Sequence, residues 1–198
     1  MNTAMPPRWA DVVLRMLLAP QDRETVSGDL LEDYRDSIHP GRGRRRADLW
    51  YVSQVAGFAW RANRTWAGLL GVAFVARTAL DWLLPTADFH ARSTVSTTVS
   101  AGIYGWAGFV AAWRTHSLRV GALAGIVTAL FGAIISIAGA AVLLAIWHDA
   151  PTFAAIDGSG GLGEVFTLPV LLVVPGALLG ALGGLIGGAS RRLASHAQ

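Results

Sequence analysis

Two residues of opposite charge, Arg77 and Asp81, lie within an otherwise apolar segment, residues 66–84. On a helix they would lie one turn apart on the same face, where they can form an ion pair. A charge at the centre of a membrane span costs about 2.5 to 3.5 kcal/mol, so charged residues in spans usually face protein or water and often mark function. A pair on one helix also partly neutralises itself. The sequence therefore favours a structural ion pair over a transport or proton-relay site.

Other residue types exclude much of enzyme chemistry. The chain has no cysteine, and all sixteen of its basic residues are arginine. Thiolate sites, lysine Schiff bases and the phosphate-binding lysine of a P-loop are therefore excluded. The five histidines follow no metal-ligand spacing, and DGSGGLG at 157–163 has the letters of a dinucleotide fingerprint without a preceding strand. We predict a non-enzymatic protein with no cofactor and no metal, and a flexible loop at 157–163.

Four long apolar segments dominate the chain after residue 65, and 53% of all residues are hydrophobic. Segments of this length and composition indicate membrane-spanning helices, because in lipid the backbone must satisfy its own hydrogen bonds. The second segment opens with the polar run STVSTTVS. The sequence predicts an all-α integral membrane protein with a four-helix bundle, whose helices cover about 66–84, 95–113, 119–147 and 165–189.

The arginines indicate how this bundle is oriented. Ten precede residue 65, two flank the turn at 114–119, and two lie at 191 and 192. With both termini in the cytoplasm, the positive-inside rule is satisfied by four spans in a bacterial inner membrane. The basic run at 42–46 would then meet anionic lipid headgroups, and we predict no nucleic-acid partner. No cleavable signal peptide is evident at the start of the chain.

Glycines recur at every fourth position of the last predicted span. Small residues at this spacing let helices approach closely, within the bundle or between protomers. Gly183 and Gly187 lie on an adjoining row. The predicted packing row is Gly176, Gly180, Gly184 and Gly188.

The first 64 residues differ in character and read as three short helices. The second carries many acids and one apolar stripe, which needs a surface to pack against, on its own module or on a partner. The third, ADLWYVSQVAGFAWRANR, is amphipathic with aromatic residues suited to the headgroup level, and we expect it to lie along the membrane or under the bundle. The predicted docking stripe is Val26, Leu30, Tyr34 and Ile38.

This opening region resembles the permease prefix domain that precedes the transmembrane part of certain bacterial ABC-type permeases. The matching features are the proline-opened helix, DRE at 22–24, GDLLEDYRD at 28–36 and WYxxQ at 50–54. The resemblance covers about the first third of the chain. It implies a cytoplasmic helical module attached to a membrane protein, and the large family members continue into a duplicated permease that is not found here.

Together these patterns predict a prefix module at 1–64, a transmembrane bundle at 65–190 and a cytoplasmic tail at 191–198. The expected function is that of a regulatory or scaffold subunit acting through its module, with membrane lipid and a protein partner or a second copy as its contacts. The alternative is a small oligomeric transporter or permease-like channel component. That alternative predicts a water-accessible path lined by Arg77 and Asp81.

Overall fold

A computed structural model of the protein describes residues 4–86, 89–115 and 117–196. Within these residues the regular structure is entirely helical, which confirms the predicted all-α class. The chain divides into two compact units, Met1–Ala62 and Asn63–Gln198.

The first unit begins with α1 (Arg8–Leu17) and α2 (Arg23–Asp33). A π-helical turn (Tyr34–Ile38) and the short α3 (His39–Arg42) follow. Gly43 ends α3 with a φ of 73°, a left-handed conformation that glycine adopts without a steric penalty. The next helix, α4 (Arg44–Leu83), starts directly after it.

The helix α4 differs from the sequence-based prediction. A short amphipathic helix was expected to end near residue 64, before a separate span, but α4 is one helix of 40 residues. The expected break rested on a change of composition. Residues 58–67, FAWRANRTWA, contain no proline or glycine, so nothing in this stretch interrupts the backbone hydrogen bonds.

The apolar stripe of α2 packs inside the first unit. Leu30 and Tyr34 are buried, and Val26 and Ile38 are partly buried against the same cluster. Their neighbours come from α1 and from the first part of α4. The buried members of this cluster outside the stripe are Ala10, Leu14, Leu18, Ala47, Tyr51 and Val55.

Two tyrosine–carboxylate hydrogen bonds connect the helices of this unit. Tyr34 donates its hydroxyl proton to Asp48 Oδ1 at 2.6 Å, and Tyr51 donates to Asp11 Oδ1 at 3.1 Å. The two rings meet edge to face with centroids 5.9 Å apart. Arg15 Nε lies 2.9 Å from the other oxygen of Asp11. Each buried phenol thus has a charged acceptor, which removes the penalty of burying it.

Ionisation of the Tyr34 hydroxyl should lower the stability of this unit at alkaline pH. Burial raises the pKa of Tyr34 from 10.0 to about 12, and the hydrogen bond to Asp48 adds to the shift. Between these two pH values the folded protein therefore keeps the Tyr34 proton, whereas the unfolded chain loses it. The stabilisation by the protonated Tyr34 is complete below about pH 10 and is lost as the pH rises to about 12. The free energy of unfolding falls by about 3 kcal/mol over this range.

We expect Tyr34→Phe, which has no proton to lose, to reduce this pH dependence. The measurement is the thermal unfolding of the full chain in detergent across the same pH range. If the variant loses stability with pH as steeply as the unchanged protein, Tyr34 is not the titrating group.

The second unit contains five further helices. These are α5 (Phe89–Thr115), α6 (Leu118–Ile146), α7 (Ala150–Gly158), α8 (Gly161–Leu171) and α9 (Val173–His196). Helix α9 packs along α5 and α6, and α8 packs on α6. Leu70 and Val75 of α4 lie against α6 at Gly132 and Gly139.

Two parts of this unit differ from prediction. The last predicted span, 165–189, is divided into α8 and α9 around Leu172, because Pro169 and Pro175 lack the N–H that a helix interior uses. The loop predicted after residue 147 contains α7, which Asp149 caps by accepting a hydrogen bond from Thr152 N at 3.0 Å. Hydrogen bonds from Thr152 lower the pKa of Asp149. The Asp-x-x-Thr spacing with Pro151 was a helix-start signal that the composition obscured.

The DGSGGLG segment is also more ordered than expected. Residues 157 and 158 end α7, and residues 161–163 begin α8. The turn between them depends on Gly160 and Gly161, whose φ values of 111° and 78° strain any other residue. A flexible loop was the wrong prediction here.

Three helices of the described residues are long and apolar enough to cross a membrane, by length and composition alone. They are Arg44–Leu83, Leu118–Ile146 and Gly161–Arg191, the last of which combines α8 with most of α9 across Leu172. The helix α5, which corresponds to the second predicted span, is not among them. Its first half contains the polar STVSTTVS run, which lowers its mean hydropathy.

Glycines set the distance between α9 and its neighbours. A Cβ added at Gly183 would lie 1.9 Å from the carbonyl oxygen of Gly105, and one at Gly125 would lie 2.0 Å from that of Gly176. The backbones therefore approach too closely for any side chain. Gly176, Gly180 and Gly184 of the predicted row face α6 or α5, and so do Gly183 and Gly187 of the adjoining row.

Gly188 is the exception in the predicted row, because a Cβ there would meet nothing within 4 Å. It lines a cavity of about 440 Å³ with Ala112 and Leu118 instead.

Candidate functional site

The candidate site is built around Asp81 in α4. Arg77 Nε lies 3.3 Å from Asp81 Oδ2, one helical turn away on the same helix. Arg92 of α5 lies on the other side, with Nη1 3.2 Å from Asp81 Oδ1. The Asp81 side chain is only 9% exposed. The carboxylate therefore has an arginine on each of its two oxygens.

Arg92 was not predicted as part of this site. The second span was expected to begin at about residue 95, which left Arg92 outside the predicted helices. The helix α5 begins at Phe89 instead, which places Arg92 in its first turn. Arg92 also donates to the carbonyl oxygens of Leu80 at 2.8 Å and Leu84 at 2.7 Å. Leu80 lies in the last turn of α4, where its oxygen also accepts from Leu84 N at 3.0 Å, and Leu84 directly follows the helix. Arg92 therefore binds carbonyls at the C-terminal end of α4, where a cation is favourable.

The cluster has two positive charges and one negative charge. Arg77 also donates from Nη1 to Ser96 Oγ of α5, at 3.3 Å. A guanidinium carries five N–H donors, and the bonds of Arg77 to Asp81 and Ser96 use two of them. Arg77 can therefore serve its structural partners and still offer donors to another group.

A small cavity adjoins the ion pair. Its volume is about 50 Å³, and its lining includes Arg77 and Asp81 together with Ser136, Ser159 and Glu164. Such a volume holds about three water molecules, and the polar groups around it can bind them. The pair is thus not enclosed by apolar side chains alone. Complete enclosure by apolar side chains would have excluded a water-accessible path at Arg77 and Asp81.

A larger cavity of about 330 Å³ lies beside it, and Arg77 and Glu164 line both. One wall is the polar face of α5. The other walls come from α4, α8 and α9 and are mainly apolar, with Phe74, Leu168 and Leu172 among their residues. The residues of the polar wall recur at helical spacing: Ser93, Ser96, Thr97, Ser100 and Tyr104.

This cavity accounts for the polar start of α5. Ser96 and Ser100 donate their hydroxyl protons to the carbonyls of Ser93 and Ser96, at 3.1 and 2.7 Å. Their oxygens keep lone pairs for other donors. Tyr104 is 1% exposed, and among the described residues nothing hydrogen-bonds its hydroxyl. Sequence periodicity could have revealed this polar face, but not that a cavity lies against it.

The predicted docking stripe is placed elsewhere. Its residues contribute to the core of the first unit: Val26, Leu30, Tyr34 and Ile38. The sequence allowed packing on the module itself or on a partner, and the stripe packs on the module. The acids of α2 and the π turn are exposed instead. Among the residues the structure describes, none of these five forms a salt bridge: Glu24, Asp29, Glu32, Asp33 and Asp36.

Within the described ranges, His, Asp and Glu side chains nowhere come together in groups of three that could hold a metal ion. Compared with known proteins, the chain matches no family model, no curated protein and no solved structure.

Proposed function

We propose that this chain is a non-enzymatic, multi-pass protein of a bacterial inner membrane, acting as a regulatory or scaffold subunit through its N-terminal helical module. The observation that carries the proposal is that the module has its own closed core, while the acids of α2 and the π turn are exposed and form no salt bridge within the described residues. Exposed charges contribute little to the stability of a fold, so this face is available for a partner. The resemblance of about the first third of the chain to a permease prefix domain supports the same role.

The proposed topology has four spans, including α5, with both termini in the cytoplasm. Its support is the arginine distribution and the polar cavity that would shield the first half of α5 from lipid. Since the chain contains no cysteine, single cysteines can report the side of the membrane. We expect Thr25→Cys and Ser117→Cys to react with an impermeant maleimide only after cells are opened, and Asp157→Cys to react in intact cells.

Reversed results at both Ser117→Cys and Asp157→Cys, with Thr25→Cys as expected, would mean that α5 does not cross the membrane. Three spans would then remain, and the four-helix arrangement would be wrong. A reaction of Thr25→Cys in intact cells would reject the cytoplasmic location of the module.

The partner of the acidic face should carry a basic surface. We expect the variant Glu32→Gln, Asp33→Asn, Asp36→Asn to lose a partner that co-purifies with the unchanged protein from native membranes. Raising the salt concentration to about 1 M should also release it, because the Debye length then falls to about 3 Å. The partner set should be unchanged in the control Asp157→Asn, which neutralises an exposed acid of the second unit.

The folded state of the triple variant must be checked by its thermal unfolding, which should match that of the unchanged protein. A stable variant that retains every partner contradicts a docking role for this face. Leu30→Asp and Tyr34→Asp are unsuitable for this test, because both residues are buried in the core of the module.

A small transporter or permease-like channel component is the second candidate, and the polar cavities beside Arg77 and Asp81 favour it. Continuous water access would be needed across the bundle. Ser100→Cys on the cavity wall and Ala124→Cys, buried in α6 nearer the other end, separate the two proposals. Labelling of both by small polar thiol reagents supports a path, whereas labelling at Ser100→Cys alone supports a closed cavity in a regulatory protein.

A further inference from the structure

We infer that the cavity of about 330 Å³ between α4, α5, α8 and α9 is a binding site for a small zwitterion with an apolar side chain, of the α-amino-acid type. This inference concerns the second unit alone and does not depend on the proposed role of the module. The volume lies near the lower end of the range for small-molecule sites, about 300 to 1,000 Å³, so it suits a compact ligand.

The charges that line the cavity indicate a ligand with both signs. Arg77 supplies a cation and Glu164 a carboxylate. The carboxylate of Asp81 is already held by Arg77 and Arg92. A ligand that is only an anion would face Glu164 without compensation, and one that is only a cation would face Arg77. A zwitterion pairs with both residues and adds no net charge to a site at membrane depth, where unpaired charge is costly.

The uncharged polar groups supply the remaining hydrogen bonds. The hydroxyl of Ser100 donates to its own helix, so its oxygen can accept from an ammonium group. The Tyr104 hydroxyl is buried without a partner in the described residues. A buried polar group without a hydrogen bond is costly, and a ligand carboxylate that reaches this hydroxyl supplies the acceptor.

The apolar walls set the kind of side chain that the ligand carries. Phe74, Leu168, Leu172 and Leu179 line the cavity opposite the polar face of α5. Of these, Phe74 belongs to a buried cluster with Tyr104, and Leu172 and Leu179 pack against that cluster. An aliphatic or aromatic side chain placed against them is removed from water, which favours binding.

Binding to the purified full chain in nanodiscs of neutral lipid tests the inference. The ligands are leucine and phenylalanine, each compared with two analogues of the same skeleton that lack one charge. For leucine these are 4-methylpentanoate and 3-methylbutylamine, and for phenylalanine they are 3-phenylpropanoate and phenethylamine. We expect at least one amino acid to bind in the millimolar range or tighter, and its two analogues to bind at least about 10-fold more weakly.

Three variants assign the contacts. Arg77→Gln and Glu164→Gln should each weaken binding of that amino acid by about 10- to 100-fold, through the loss of a charge-assisted hydrogen bond. Tyr104→Phe should weaken it by about 3- to 10-fold while leaving the thermal unfolding temperature unchanged or raised, because it removes a hydroxyl without a partner. Asp157→Asn, which lies outside the cavity, is the control.

An acid analogue that binds as well as its amino acid would show an anion site, and an equally tight amine a cation site. Either result overturns the inference, as does failure of both amino acids to bind at millimolar concentration. Should Arg77→Gln prove unstable, the result with Tyr104→Phe decides. Undiminished binding by that stable variant would then overturn the inference.

Discussion

Gly183→Ala should lower the thermal unfolding temperature of the protein by about 6 to 12 °C, although it adds a single methyl group. The added Cβ would lie 1.9 Å from the carbonyl oxygen of Gly105. Backbone atoms on both sides cannot change rotamer, so the helices must separate or shift. Overpacking costs about 1 to 3 kcal/mol in ordinary cores, and this contact belongs at the upper end of that range.

The same helix supplies the matched control. Gly188→Ala makes the same chemical change, but its Cβ meets nothing within 4 Å. Alanine is favoured over glycine within a helix by about 1 kcal/mol, so this variant should be unchanged or slightly stabilised. Thermal unfolding of both variants in the same detergent is the measurement. Equal effects of the two substitutions would contradict close packing of α9 against α5.

Asp81→Asn should destabilise the protein by about 3 to 5 kcal/mol, the usual consequence of removing one partner from a buried charge cluster. The carboxylate holds Arg77 and Arg92 at 3.3 and 3.2 Å, and both guanidinium groups are largely covered. Without it, two like charges lie close together. Asparagine keeps the size of the side chain, so the effect reports charge and not volume.

The comparison with Arg77→Gln tests the role of the cluster. Arg77→Gln leaves Asp81 paired with Arg92, so we expect a smaller loss of stability than for Asp81→Asn. The double variant should be more stable than the sum of the two losses indicates, since removal of both charges leaves one cation and no excess repulsion. Additive losses in chemical denaturation would show that the three charges do not act together. Normal stability in both variants would reject the structural ion pair.

The cluster also shows the limit of reading sites from sequence. The spacing of Arg77 and Asp81 was sufficient to place them on one helical face. Arg92 lies eleven residues after Asp81, beyond a change of direction, and no local pattern relates them. Its role depends on where α5 begins, and helix ends are the least certain part of any prediction from sequence.

The stripe of α2 shows the same limit in the first unit. Four-residue periodicity was enough to identify Val26, Leu30, Tyr34 and Ile38 as one face. Periodicity does not say which surface that face meets. The answer depends on Ala10, Leu14 and Tyr51, which come from two other helices.

The helical class, the long apolar segments and the acidic character of α2 could all be predicted from the residues alone. These properties follow from composition and periodicity, which act over one or two turns of a chain. Which glycines meet backbone and which face an open cavity became clear only from the packed helices, as did the cavity that the polar half of α5 lines with Arg77 and Glu164. Such contacts join residues far apart in the chain, and their geometry is fixed by how whole helices pack.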